Sequence, residues 1–175
     1  MNSDKETYLK TFFGGTEWTI SENTKQEHNV IVSEISDNDI VLDLRCGYNL
    51  FKGRIKNLTA IDKYNPAADI LVDMLDFQSP DDHYDVIIAL GSTNIKPVET
   101  IHQQIENIVK WCKPGGRIYM RVNPRLVPDN DTPEYAYGWK LEEIIMFTQK
   151  YNLKIIKPIT VTDKFRITWT WQKPE

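Results

Sequence analysis

Apolar residues along this chain fall in short blocks, and each block ends on a charged residue or a glycine. The sharpest is Ile40-Val41-Leu42-Asp43-Leu44, set off by the breaker Asp37-Asn38-Asp39. A short, β-branched apolar run of this kind predicts a strand buried on both faces. The same grammar recurs at residues 58–61 before Asp62, at 70–72 before Asp73, and at 85–90 before Gly91. Helical spacing replaces it twice. Ile101, Ile105, Ile108, Val109 and Cys112 share one face of a helix over 98–113, and Leu141, Ile144, Ile145 and Thr148 mark another over 138–151. A shorter helix is expected over 25–35, from Val30, Ile31 and Ile35.

Pro114-Gly115-Gly116 should end the 98–113 helix and introduce a fifth strand at 117–122. A loop carrying Pro124, Pro128 and Pro133 then leads to the late helix. Two last strands, 154–162 and 166–172, are joined around Asp163-Lys164 by a link too short for anything but an antiparallel pair. Strands alternating with helices, closed by a hairpin, predict an α/β fold of Rossmann-like type. Its sheet should be mostly parallel and seven-stranded with a C-terminal antiparallel hairpin, and helices should cover both faces. One connection strains this reading. Only seven residues lie between Asp62 and Ile70, whereas a parallel crossover ordinarily needs a dozen or more. Either the strands are shorter than drawn or that helix is missing.

Composition narrows the function classes. A net charge of −4 and pI near 5.4 oppose generic nucleic-acid binding. Lys110, Lys113, Arg117, Arg121 and Arg125 lie close in sequence, and solvated strand-end and helix-end charges explain them more simply than a binding patch. Two cysteines and three histidines argue against a disulfide framework or a zinc cluster, so no metal site is expected. No apolar run approaches the roughly 18 residues of a membrane span. The polar N-terminus does not read as a signal peptide, and a reducing, cytoplasmic setting is expected. Residues 1–22, with Phe12, Phe13, Gly14, Gly15 and Trp18, form an extension or lid ahead of a domain over 23–175.

In a sheet of this kind ligands bind beyond the carboxyl ends of the strands. The first strand runs into Arg45-Cys46-Gly47-Tyr48-Asn49. Gly47 lets backbone approach a ligand, and asparagine tolerates a left-handed conformation. Asp62 follows Asp43 by 19 residues, a place where a carboxylate can accept both hydroxyls of a ribose. Asp73 is placed to accept from an adenine amino group. Both aspartates also fit as strand-end caps. A dinucleotide fingerprint needs glycine at positions 45, 47 and 50, but Arg45 and Leu50 stand there.

Taken in order, the segments carry a resemblance. Val41-Leu42-Asp43-Leu44-Arg45-Cys46-Gly47-Tyr48-Asn49 resembles motif I of the class I S-adenosylmethionine-dependent methyltransferases, VLDLGCGxG. Ala60-Ile61-Asp62 resembles their ribose-binding strand end. Residues 66–74 resemble the adenine-contacting segment of a short-linker subset. His83-Tyr84-Asp85-Val86-Ile87 stands where that family has S-F-D-V-V, Lys113-Pro114-Gly115-Gly116-Arg117 resembles its LKPGGR turn, and Gly138-Trp139-Lys140-Leu141-Glu142-Glu143 its late helix start. The likeness spans about residues 39–172.

That resemblance implies a cofactor, S-adenosylmethionine, leaving as S-adenosylhomocysteine. Asp43 and the backbone through Gly47 would hold its methionine end, Asp62 its ribose, and Asp73 with the Met74 backbone its adenine; Arg45, Cys46, Asn49 and Lys63 are further cofactor-binding candidates beside them. Leu90 and Gly91 would line the site. Arg45 and Asn49 depart from the motif's first and third glycines. Arg45 could point to solvent, reach the cofactor carboxylate, or partly fill the pocket. The implied activity is methyl transfer to a small-molecule or protein acceptor. The alternative is a non-catalytic or degenerate S-adenosylmethionine-binding module that regulates a partner. After the fourth strand the chain reads Gly91-Ser92-Thr93-Asn94 in place of the N/D-P-P-Y/F element of nucleic-acid amino-methyltransferases. Ser92, Asn94, Arg121, Asn123 and Tyr137 are residues the fold would bring to face an acceptor.

Overall fold

The computed structural model describes residues 6, 7, 10, 11, 21–95, 97–124, 136–163 and 166–175. The lid reading of Phe12–Gly15 and Trp18, the loop with Pro128 and Pro133, Arg125 and the Lys164 link fall outside these described residues. Seven strands form one sheet: β1 (Ile40–Leu44), β2 (Asn57–Asp62), β3 (Ile70–Leu71), β4 (Tyr84–Leu90), β5 (Cys112–Val122), β6 (Lys154–Asp163) and β7 (Arg166–Gln172). Their order is β3-β2-β1-β4-β5-β7-β6. The first five are parallel, and β7 runs antiparallel to both β5 and β6. The expected closing hairpin is present.

Side-chain alternation distributes the strands between two cores. Leu42, Leu44, Ile87 and Met120 face α2 (Val98–Trp111) and α3 (Leu141–Lys150), meeting Ile105, Ile108 and Phe147. Val41, Val86, Ile88 and Tyr119 face α1 (Glu22–Glu34) and meet Ile31 and Phe51. Helices therefore cover both faces. The helix boundaries shift from those read in the sequence. α1 starts earlier because the Oγ of Ser21 accepts the Thr24 amide at 3.2 Å, an N-cap that supplies a missing partner to a free helix-end N–H. α3 starts at Leu141 because Trp139 is drawn into the core and donates its indole N–H to the Thr93 carbonyl at 2.8 Å.

The connection between β2 and β3 has no helix. Asp69 instead doubles back on β2, its amide donating to the Ala60 carbonyl at 2.9 Å and its carboxylate accepting the Ala60 amide at 3.0 Å. This places a two-residue β3 beside Ile61 and Asp62 without a crossover helix. β5 is also longer than expected. It begins at Cys112, and residues 113–116 bulge between the Tyr84↔Cys112 and Val86↔Arg117 pairs. Gly116 is required in that bulge: a Cβ there would meet Cys112 Sγ at 2.7 Å and the Lys113 carbonyl at 2.8 Å. Asp85 locks the bulge, accepting from Lys113 Nζ at 2.8 Å and from the Ile40 amide at 2.8 Å. Two of the segments that carried the resemblance thus brace one another.

Candidate active site

Strand order reverses between β1 and β4, so the crevice beyond their carboxyl ends is where a ligand is expected. The turn after β1 forms its floor. Arg45, Gly47 and Asn49 take φ of 52°, 53° and 52°, alternating left-handed residues along one short turn. The turn is pinned at both sides: the Cys46 amide donates to the Ile61 carbonyl at 3.0 Å and the Gly47 amide to Asp62 Oδ2 at 3.0 Å. Asn49 is buried and donates its side-chain amide to the Ala67 carbonyl at 2.8 Å. A Cβ built on Gly47 would meet no atom within 4 Å, so the turn faces open room there.

Asp62 is buried and serves the backbone. Besides Gly47, its Oδ1 accepts the Tyr64 amide at 2.7 Å and the Asn65 amide at 2.9 Å. Asp73 caps the next turn by accepting the Leu75 amide at 3.1 Å, and Lys63 Nζ stands 3.4 Å from its other oxygen and 3.9 Å from Glu6. The Met74 side chain packs in the core below. Leu90 packs on the α1 face, and Gly91, at φ 85°, donates its amide to the Arg121 carbonyl at 2.7 Å.

Electrostatics separates these groups. Asp43 is buried, and burial followed by the neighbouring charge of Asp62 holds its carboxyl well above the usual range, against the pull of Arg121. Burial lowers the Arg45 guanidinium's hold on its proton, opposed by the charges of Asp73, Asp62 and Tyr64. Its Nη1 is buried and has no hydrogen-bond partner among the described residues. Arg45 therefore lies inward, toward the carboxylates, and not out in solvent. Cys46 is partly buried, and its thiol is pushed far up by burial and then by Asp43 and Asp62. A thiol so reluctant to ionise is no nucleophile.

The residues expected to face an acceptor are mostly engaged within the chain. Asn94 ties the ends of β4 and β5 together, donating to the Gly91 carbonyl at 3.2 Å and accepting the Asn123 amide at 3.2 Å. Asn123 accepts from Arg166 at 2.6 Å, and the Tyr137 hydroxyl is bonded to Glu143. Ser92 is fully buried, with its hydroxyl unpartnered among the described residues. Arg121 donates to Glu27 at 2.6 Å. Glu27, on α1, escaped the sequence reading: its spacing four residues before Ile31 was the only sign that it faced the sheet. The four cations of the sequence cluster that lie among the described residues are each held in an ion pair. Lys110 pairs with Asp81, Lys113 with Asp85, Arg117 with Asp39 and Arg121 with Glu27. Among the described residues no group of His, Cys, Asp and Glu is placed to hold a metal, and no helix is long and apolar enough to cross a membrane.

With its switch-point crevice and antiparallel β7, the chain has the class I methyltransferase fold. Three solved structures show the likeness. The 1,6-didemethyltoxoflavin-N1-methyltransferase of Burkholderia thailandensis, with bound 1,6-didemethyltoxoflavin and S-adenosylhomocysteine, superposes with a TM-score of 0.75 at 12% identity, over 98% of this chain and 87% of that one. The N-methyltransferase NodS of Bradyrhizobium japonicum, in complex with S-adenosylhomocysteine, gives 0.73 at 15% identity, over 97% and 98%. The magnesium protoporphyrin IX methyltransferase of Synechocystis, with S-adenosylmethionine bound, gives 0.67 at 15% identity, over 99% and 100%. No protein-family model matches the sequence, and no curated protein matches it.

Proposed function

We propose that this chain binds S-adenosylmethionine in the crevice beyond β1, β2 and β4 and transfers its methyl group to a small-molecule or protein acceptor, releasing S-adenosylhomocysteine. The observation that carries the reading is the left-handed turn 45–49, open above Gly47 and flanked by three carboxylates. These residues fit the ligand by their donor set. Asp43 and the Gly47 backbone would hold the methionine end, and the orphaned Arg45 Nη1 supplies a donor that a ligand oxygen can satisfy. Asp62, Lys63 and Asp73 border the nucleoside, and Cys46, Asn49, Met74, Leu90 and Gly91 shape the walls. The ligand would supply an electrophilic methyl on a sulfonium, so the protein's task is to align a nucleophile and exclude water. Solved neighbours with the donor or its product bound support this ligand.

Calorimetry tests it. Wild-type protein should bind S-adenosylmethionine and S-adenosylhomocysteine and ignore a nicotinamide dinucleotide. Arg45→Gly should weaken either affinity by about tenfold, the loss of one hydrogen bond from a charged donor. Binding by Arg45→Gly with none by wild type would show a plugged crevice and end the enzyme reading.

A further inference from the structure

A second concavity adjoins the crevice at Leu90. It is a groove of about 300 Å³ between α1 and the α1-facing side of β5, β7 and β6, at the small end of ligand pockets. Val30, Ile31, Leu90 and Pro158 give it apolar walls, and Thr168 and Thr170 line its floor. These two stand on the same face of β7, opposite Arg121 and Tyr119 of β5. Ion pairs bound it at both ends. Near the strand carboxyl ends Glu27 is held by Arg121 at 2.6 Å. At the far end Lys157 pairs with Glu34 at 2.5 Å and lies over the Tyr119 ring.

Glu27 gives the groove its chemistry. Arg121 takes only its Oε2, so Oε1 has no hydrogen bond among the described residues, while the side chain remains only 24% exposed. It is thus an oriented acceptor at the end of the groove nearest the Leu90–Gly91 rim. Resting on the methyl-transfer reading, we propose that this groove holds the acceptor, a small molecule with an apolar body and an N–H or O–H nucleophile at one end, and that Glu27 takes the nucleophile's proton. The acceptor heteroatom bonds to the methyl carbon, the sulfonium sulfur keeps the electron pair of the broken C–S bond, and the proton passes to Glu27 Oε1 and then to water. A base so placed is worth about 10²–10⁴ in rate.

The test uses two probes of one shape, 2-naphthol and 2-methoxynaphthalene, titrated by ligand-observed NMR alongside S-adenosylmethionine calorimetry. Wild type should bind both, with the naphthol about tenfold tighter for its hydrogen bond to a carboxylate. Glu27→Gln, which can keep an acceptor toward Arg121, should bring the naphthol down to within about threefold of its methyl ether. Val30→Trp, made at a half-exposed position on the groove wall, should abolish binding of both probes while donor affinity stays within about threefold. Equal binding of the two probes by wild type, or undiminished binding by Val30→Trp, overturns the proposal even when the donor binds normally. Failure of wild type to bind S-adenosylmethionine refutes the reading beneath it, whatever the naphthols do.

Discussion

Replacing Asp62 should damage the fold before it reports on any ligand. Its carboxylate collects three amides, those of Gly47, Tyr64 and Asn65, at 3.0, 2.7 and 2.9 Å. In Asp62→Ala the Gly47 and Tyr64 amides lie in part-buried turns that water can reach, so each loses a net bond worth about 0.5–1.5 kcal/mol. The Asn65 amide is buried and would be left unmatched, at about 1–3 kcal/mol. Relief of the repulsion between Asp62 and Asp43 offsets part of this. The expected net loss is about 2–4 kcal/mol, which in a domain of this size lowers Tm by roughly 5–15 °C. Asp62→Asn keeps one acceptor oxygen for the Tyr64 and Asn65 amides and should lose about half as much. Calorimetric melts of ligand-free wild type, Asp62→Ala and Asp62→Asn decide it. An alanine variant that melts within a degree or two of wild type would show that these bonds do not hold the turn.

Two further outcomes follow from packing and burial. Gly116→Ala should lose about 1–3 kcal/mol in a denaturant melt, because its methyl meets Cys112 Sγ and the Lys113 carbonyl inside contact distance; a variant as stable as wild type would show that the bulge yields freely. His28 is buried against Phe51, and burial first, then Arg121 and Arg54, holds its imidazole down at about 4. The unfolded chain takes up that proton near its ordinary value of 6.5 while the native chain does not. Stability is therefore whole above about 6.5 and lost as pH falls toward about 4, by roughly 2 kcal/mol after allowing for partial screening. His28→Gln should lose less Tm than wild type between pH 7 and pH 4.5, and parallel losses would exclude His28 from acid unfolding.

What the sequence made legible was periodic or punctuated. β1 and β7 stand at the residues read from it, because a β-branched run and a hairpin leave no alternative register. Asn49 was legible as a residue that tolerates the left-handed region and Gly47 as a point of close backbone approach, while Arg45 was not: nothing local announces that a long cation will take φ 52° and turn inward. The run at 70–72 was legible and stands, one residue shorter, as β3. Its helix-free connection to β2 was not, because that depends on the Asp69–Ala60 bonds across the chain, which no local pattern announces. Trp139 looked like the start of a helix, because the Thr93 carbonyl that captures its indole lies 46 residues away. Glu27 was missed because an exposed-looking glutamate on a helix acquires meaning only from Arg121, on a strand 94 residues later.

The rim of the crevice is built differently from its supporting core. No helix follows β1, β2 or β3 before the next strand. Side chains bonded to nearby backbone take their place: Asn49 to Ala67, Asp62 to Tyr64 and Asn65, Asn65 to Ala67, Asp69 to Ala60, Asp73 to Leu75. Such turns satisfy the backbone with few residues, which is how a short chain closes this sheet. They also commit the crevice carboxylates twice, since the oxygens that would accept from a ligand already hold the turns. Binding and folding at this rim are therefore coupled. A ligand that adds bonds to Asp62 or Asp73 stabilises the native state by mass action, and a substitution there changes affinity and stability together. Arg121 and Glu27 lie outside that network, on the rigid β5 and α1. That leaves the groove proposed for the acceptor free to vary in chemistry without unravelling the turns that would hold the methyl donor.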